Sequence, residues 1–383
     1  MRDIRAALQA RREQSLYRQR RVVTSPQGAE IVVDGQRLIN FASNDYLGLA
    51  NHPEVVAAFH KGAEQYGVGS GAAHLICGHS HAHHALEEEL AAATGRERAL
   101  LFSTGYMANI GAITALLGRK SLVLEDKLNH ASLIDGGLYS EARFRRYQHA
   151  AMSSLSTELA NAEESDKLIV TDAVFSMDGD IAPLPDIVEL AHQHNADVMI
   201  DDAHGFGVLG ENGSGTANHF GLDQQQVSVY MATLGKAIGS FGAFIAGSTD
   251  LIEYLINEAR TYVYTTALPP AVAEATRAAL RIAQQDNSRR EQLQALISRF
   301  RQGAQQLGLQ LMPSQTPIQP VVLGEASDCL AMGEKLKQRG LLVGVVRPPT
   351  VPQGTARLRI TLTAAHSENH IDQLLSALEA ARV

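Results

Sequence analysis

The sequence predicts an α/β fold, a mostly parallel sheet covered by helices with a smaller α+β unit at its carboxyl end. Three observations lead there. From about Arg98 onward, short apolar runs alternate with helical patterns, the signature of parallel strands joined by crossover helices. All but one of those runs end in polar residues, and in open α/β sheets ligands bind beyond the carboxyl ends of the strands. At 383 residues the chain also exceeds what one core usually supports, so a large domain with a smaller companion is expected.

In chain order, the opening "MRDIRAALQARREQSLYRQRR" is arginine-rich, with Ile4, Leu8 and Leu16 spaced along one helical face. Asp3 and Glu13 argue against a transit peptide, so a solvated helix packed by its sparse apolar side is expected. "GAEIVVDGQRLINFASNDYLGL" reads as a hairpin turned at Asp34-Gly35, then a loop. The strand runs that follow are "ALLFSTG", "SLVLED", "KLIVTDAVFS", "DVMIDDAHG", "VSVYMATLGK" and "GAFIAGS". "RREQLQALISRFRQGAQQLGLQL" is a long helix, and "IQPVVLG", "LLVGVV" and "ARLRITLT" are strands of the second unit. The proline-rich "PPTVPQGT" is a rigid turn. The expected division is 1–45 for the terminal helix and hairpin, 46–280 for the large domain and 281–383 for the small one.

The net charge of -8 and pI near 6.0 argue against nucleic acid as a main partner, because phosphate binding needs a basic face. No stretch approaches the roughly 18 apolar residues of a membrane span. Cys77 and Cys329 are too few for a disulfide framework, which points to the cytoplasm.

The polar strand tails carry the chemistry. "DVMIDDAHG" delivers Asp201, Asp202 and His204 to one strand end. A carboxylate there can keep a heteroaromatic nitrogen protonated, while Asp202 reads as an N-cap for the next helix. "LLFSTGYMANIGAI" runs from strand to helix, so the N–H groups near Gly105 and Tyr106 form an anion seat. "DKLNHAS" brings His130, and "VFSMDGD" brings Ser176. In "YMATLGKAIGSFGAF" Lys236 stands among glycines, yet Met231 and Ala237 break the spacing of a phosphate loop. An anion seat, an aromatic ring to stack, a carboxylate, hydroxyls and one glycine-flanked lysine are the inventory for pyridoxal 5'-phosphate, held by Schiff-base linkage to Lys236.

The motifs "FASNDYLGL", "STGYMAN", "NHAS", "FSMDGD", "DDAHGFGVLG", "TLGKAIG", "YTTALPP" and "ARLRITLTAAH", in this order, resemble the α-oxoamine synthases among the fold-type I pyridoxal-phosphate-dependent transferases. The resemblance spans about Phe41 to His366 and implies a seven-stranded, mostly parallel sheet in the large domain. The run "RPPTVPQGTARLRITLTAAH" is most similar to the branch that joins L-alanine to a pimeloyl thioester, carried by coenzyme A or acyl carrier protein, in biotin synthesis. Other branches, such as glycine with acetyl-coenzyme A, remain open, as do an aminotransferase and a noncatalytic protein that kept the fold.

The resemblance implies roles by motif. Lys236 forms the Schiff base, Asp201 partners the pyridine nitrogen, and His130 stacks on the ring. His204 and Ser176 meet the phenolic oxygen, while Gly105, Tyr106 and Thr233 hold the phosphate. Thr265 or Thr266 reaches the phosphate of a neighbouring subunit, because sites in this family lie at a dimer interface. Asn44 and Arg359 bind the amino acid's carboxylate, Arg21 meets the acyl substrate's far carboxylate, and Thr350 is a further substrate-binding residue. One stretch departs: the family's "GSGGSR"-like run is replaced by "GSGAAHLICGHSHAHHALEEEL", which lacks the arginine and leaves His74 without a role. His79 and His83 sit one helical turn apart there, but no Cys or Asp completes a ligand set and no metal is expected.

Overall fold

The computed structural model describes residues 3–14 and 16–381. Asp3 caps the first helix, Ile4–Glu13, by accepting from Ala6 N at 3.0 Å. The expected packing of its apolar side does not occur. The helix buries no residue, and Ile4 and Leu8 alone offer too little apolar surface to hold it down. Leu16 lies beyond the helix and is half-buried. The hairpin of β1 (Glu30–Val33) and β2 (Gln36–Phe41) turns where expected, with Asp34 and Gly35 at φ of 50° and 82°. Two consecutive positive φ angles make the turn whose twist suits a tight hairpin.

The large sheet contains β3 (Arg98–Phe102), β4 (Ser121–Asp126), β5 (Arg143–Tyr147), β6 (Asp166–Asp172), β7 (Asp197–Asp201), β8 (Val229–Thr233) and β9 (Ala243–Gly247). Its order is β3-β9-β8-β7-β6-β4-β5, with β9 antiparallel to both neighbours and the other pairs parallel. Helices cover both faces, so the central strands are apolar on both sides. Leu122, Leu124, Ile169 and Ile200 enter one core, while Val123, Val170 and Met199 enter the other. Ile200→Ala would cost about 2–5 kcal/mol, the range for emptying a buried aliphatic site. The strand missing from the sequence reading is β5: its "RFRRY" has no apolar run because it is an edge strand.

The small sheet adds β10 (Ile318–Gly324), β11 (Leu341–Val346) and β12 (Ala356–Thr361) in the order β1-β2-β11-β12-β10. The amino-terminal hairpin therefore completes the carboxyl-terminal sheet, with β2 parallel to β11. The long helix appears as Ser288–Gln306 and buries Leu293, Leu296, Ile297 and Phe300. Among the described residues no helix is long and apolar enough to cross a membrane.

Candidate active site at the carboxyl ends of the parallel strands

Register brings the polar strand tails together. Asp172 at the end of β6 is paired in register with Asp201 at the end of β7, and Asp201 with Met231 of β8. Beside them opens a cavity of about 210 Å³. Of the expected cofactor residues, Gly105, Tyr106, His130, Ser176, Asp201, His204, Thr233 and Lys236 all line it.

Helix Gly105–Leu116 starts at this cavity. Its N-cap, Thr104, accepts from Met107 N at 3.2 Å, so the N–H groups of Gly105 and Tyr106 are not consumed by the cap. A Cβ on Gly105 would press on Met231 Cε at 2.7 Å, so glycine keeps this helix end bare. Bare N–H groups at the positive end of a helix dipole suit a phosphate.

Asp201 is held from two sides, accepting from Asn109 Nδ2 at 2.7 Å and from Ala203 N at 3.0 Å. Asn109 also donates to Ser132 Oγ at 2.9 Å, and Ser132 Oγ lies 2.7 Å from His130 Nδ1. The backbone of His130 donates to Asp172 Oδ2 at 2.7 Å. Burial, then repulsion from Asp201, pushes the Asp172 carboxyl well above its usual range. Asp202 serves the start of the next α-helix, Thr216–His219, from a distance; the N-cap residue itself is Gly215. The buried Asp202 carboxylate accepts from Thr216 N at 2.6 Å, Thr216 Oγ1 at 2.5 Å and Tyr230 OH at 2.7 Å.

Lys236 follows β8 in a tight loop. Gly239, at φ 65°, packs so closely on Leu49 and Ala50 that a Cβ would lie 2.4 Å from Ala50 N. Gly235 has ordinary room, so the tight approach expected of the glycines belongs to Gly239 and is made to the chain itself. Lys236 Nζ lies 2.9 Å from His204 Nε2, and His204 Nδ1 is 2.6 Å from Tyr46 OH. Burial brings the Lys236 ammonium down to about 8, against the opposing pull of Asp201 and Asp172. Burial, then Lys236, Arg359 and His130, holds His204 far below its usual value.

Arg359 donates from Nε to Ser176 O at 2.6 Å and from both terminal nitrogens to Asn44 Oδ1 at 3.2 Å. Tyr46 OH donates to the same oxygen at 3.2 Å. The expected carboxylate pair, Asn44 and Arg359, is thus assembled and joined to His204 through Tyr46. Neighbouring Arg357 is turned to Asp178 and Thr355.

The other expected residues lie elsewhere in this chain. Arg21 lines a larger cleft of about 930 Å³ that contains none of the cofactor residues. Thr350 is exposed, its N–H donating to Arg347 O at 3.1 Å. Thr266 bridges to Ala73, and neither it nor Thr265 lines the cavity. The sequence reading missed three residues. Asp172 ends an apolar run just as Asp201 does, Asn109 is a polar residue inside an apolar helix, and Tyr46 stands two residues from Asn44.

The model of the aminotransferase class I and II family matches residues 36–378. An 8-amino-7-oxononanoate synthase of Thioalkalivibrio sulfidiphilus (strain HL-EbGR7) is 61% identical over 380 residues, 99% of this chain and 97% of that protein. The chain belongs to the 8-amino-7-oxononanoate synthase family. A crystal structure of an 8-amino-7-oxononanoate synthase from Francisella tularensis superposes with a TM-score of 0.79 at 31% identity, over 90% of this chain and 97% of its own. An SPT structure with PLP superposes with a TM-score of 0.94 at 31% identity, over 99% and 96%. The 8-amino-7-oxononanoate synthase fold thus carries the lysine, the paired carboxylates and the bare helix end at one cavity, a donor set that suits pyridoxal phosphate.

Proposed function

We infer that the chain joins L-alanine to a pimeloyl thioester, giving 8-amino-7-oxononanoate, carbon dioxide and the free thiol carrier, with pyridoxal phosphate as cofactor. The observation that carries this reading is the placement of Lys236, 2.9 Å from a neutral His204, in a cavity bounded by Asp201 and a bare helix N-terminus. Near-full-length identity to an 8-amino-7-oxononanoate synthase supports the choice of reaction.

Bound pyridoxal phosphate supplies a ring that takes up the electron pair left at the alanine α-carbon on deprotonation and again on loss of carbon dioxide. The chain's own groups do the rest. Gly105 and Tyr106 N–H, with Thr233, hold the phosphate. Asp201, fixed by Asn109, holds a proton on the ring nitrogen. His130 would cover the ring, and Ser176 and His204, which line the same cavity, would meet the phenolic oxygen. Arg359 and Asn44 receive the alanine carboxylate, for which the planar guanidinium offers two parallel donors. Lys236, lowered to about 8, is a base of suitable strength to move the α-proton at neutral pH.

The same reading assigns Arg21 to the far carboxylate of the pimeloyl group and Thr350 to substrate binding, and makes 46–280 the cofactor domain and 281–383 the small domain. It makes the enzyme a cytoplasmic homodimer in which Thr265 or Thr266 completes the neighbour's phosphate site. Their position outside the cavity of their own chain supports this. The test supplies the purified chain and pyridoxal phosphate with L-alanine and pimeloyl-coenzyme A or pimeloyl-acyl carrier protein, then measures product mass and carbon dioxide. Faster turnover of glycine with acetyl-coenzyme A, or product without carbon dioxide, would sink the reading. Light scattering reports the dimer.

A further inference from the structure

We propose that His74, His79 and His83 form a binding site for one divalent ion of the zinc class, apart from the cavity that carries the chemistry. One nitrogen of each ring lies within 4.8 Å of the other two, and the Nδ1 atoms of His74 and His79 are 3.0 Å apart. Ligands on a tetrahedral zinc, with bonds of about 2.0–2.1 Å, stand roughly 3.3 Å from one another. Two of the three nitrogens are therefore near their bonding separation, and the third lies within 4.8 Å of both.

The fold supplies what the local spacing lacked. His79 and His83 lie at the start of helix His81–Thr94, and His74 is brought to them by the turn His74–Gly78. Its ring is braced from behind by stacking on Tyr262, with centroids 4.9 Å apart. The far nitrogens of the other two rings already face oxygen. His83 Nε2 donates to Leu268 O at 2.7 Å, and His79 Nε2 lies 3.9 Å from Glu87 Oε2. Metal-bound imidazoles characteristically rest their other N–H on a carbonyl or carboxylate, which fixes tautomer and ring angle. In His83 that leaves the lone pair on Nδ1, which now accepts from Ser80 N at 3.0 Å and would exchange that contact for the ion.

His74 and His83 are buried while His79 is half-buried, which gives an ion a way in and leaves a fourth position for water. An all-imidazole set favours zinc, cobalt and nickel over magnesium and calcium, which take oxygen. Through Leu268 O the ion would tie this segment to the stretch that follows Thr265 and Thr266. Its role there is structural.

The holoenzyme, stripped with a chelator and dialysed, is titrated with Co²⁺ followed by its ligand-field spectrum, and with Zn²⁺ followed by thermal unfolding. The expected result is one tetrahedral Co²⁺ per chain, a Zn²⁺-dependent rise in Tm, and an affinity lowered roughly tenfold or more in His79→Gln. His84→Gln should bind as the wild type does, because exposed His84 lies outside the trio and faces Glu88 at 3.5 Å. His74→Gln gives a second reading if His79→Gln loses its fold, with circular dichroism as the check. Absence of stoichiometric binding overturns the proposal. So does equal weakening by His84→Gln, which would put the ion on the surface set of His79, His84 and Glu87. A thiolate charge-transfer band would place the ion on Cys77 and overturn it as well.

Discussion

Lys236 Nζ and His204 Nε2 stand 2.9 Å apart, and this contact begins a chain of hydrogen bonds running through Tyr46 and Asn44 to Arg359. A neutral His204 that accepts from the lysine at Nε2 must carry its proton on Nδ1 and donate it to Tyr46. Burial raises Tyr46 to about 12, so its hydroxyl keeps its proton and donates onward to Asn44. The base and the carboxylate site are thereby oriented together.

Lys236→Ala should abolish turnover while cofactor binding stays measurable, because helix-end, Asp201 and ring contacts remain. Borohydride reduction of the wild-type holoenzyme and peptide mapping should find the pyridoxyl group on Lys236. A label on Lys120 or Lys127 would refute the assignment.

Tyr46→Phe tests the relay. The ring stays in its buried site while one hydroxyl is lost from between His204 and Asn44. A fall in kcat of about tenfold, the scale of one buried hydrogen bond, is expected with unchanged cofactor content. Unchanged kcat would make the relay a packing feature only.

Asp201→Asn and Asp202→Asn should separate by readout. The first should lower kcat by about 10²-fold or more, the scale of one preorganised electrostatic contact, with little change in Tm. The second should lower stability by roughly 1–3 kcal/mol through its contacts with Thr216 and Tyr230, as urea unfolding would measure. Equal effects on kcat would mean that the pair is wrongly divided.

Arg359→Lys should weaken L-alanine binding by about 1–3 kcal/mol, since the charge remains but the paired donors do not. Arg357→Lys should leave alanine affinity unchanged and lower stability, because Arg357 is buried against Asp178. Titration of each variant with L-alanine, followed by the cofactor's absorbance, distinguishes them.

His149 should give stability a pH dependence. Its ring is half-buried, which lowers its pKa, yet Asp126 and Asp180, each at 3.0 Å, raise it to about 10. Since the folded pKa lies above the unfolded value of about 6.5, the stabilisation is complete below pH 6.5 and is lost as pH rises toward 10. The difference in unfolding free energy between wild type and His149→Gln should therefore shrink across that window. A constant difference would show that the ring does not titrate there.

What the sequence determined by itself was local. Apolar runs located β3, β4, β6, β7, β8 and β9, all but the last ending in polar residues, and the Asp-Gly pair located the hairpin, because strand burial and turn geometry leave marks within a few residues. The same strand ends exposed Asp201, His204, Ser176 and Lys236, and motif order added Asn44 and Arg359. Tertiary structure alone decided relations between distant segments. Edge strand β5 has no apolar signature, since only its position in the sheet makes it a strand. Asp202 reads as a cap in the sequence, but only the fold shows that it reaches the distant Thr216 at a helix start and also binds Tyr230. Asn109, Asp172 and Tyr46 look ordinary until the fold brings them beside Asp201, His130 and His204. The physical reason is common to all: a hydrogen bond or a pKa shift depends on separation in space and on shielding from water, and neither is a property of spacing along the chain.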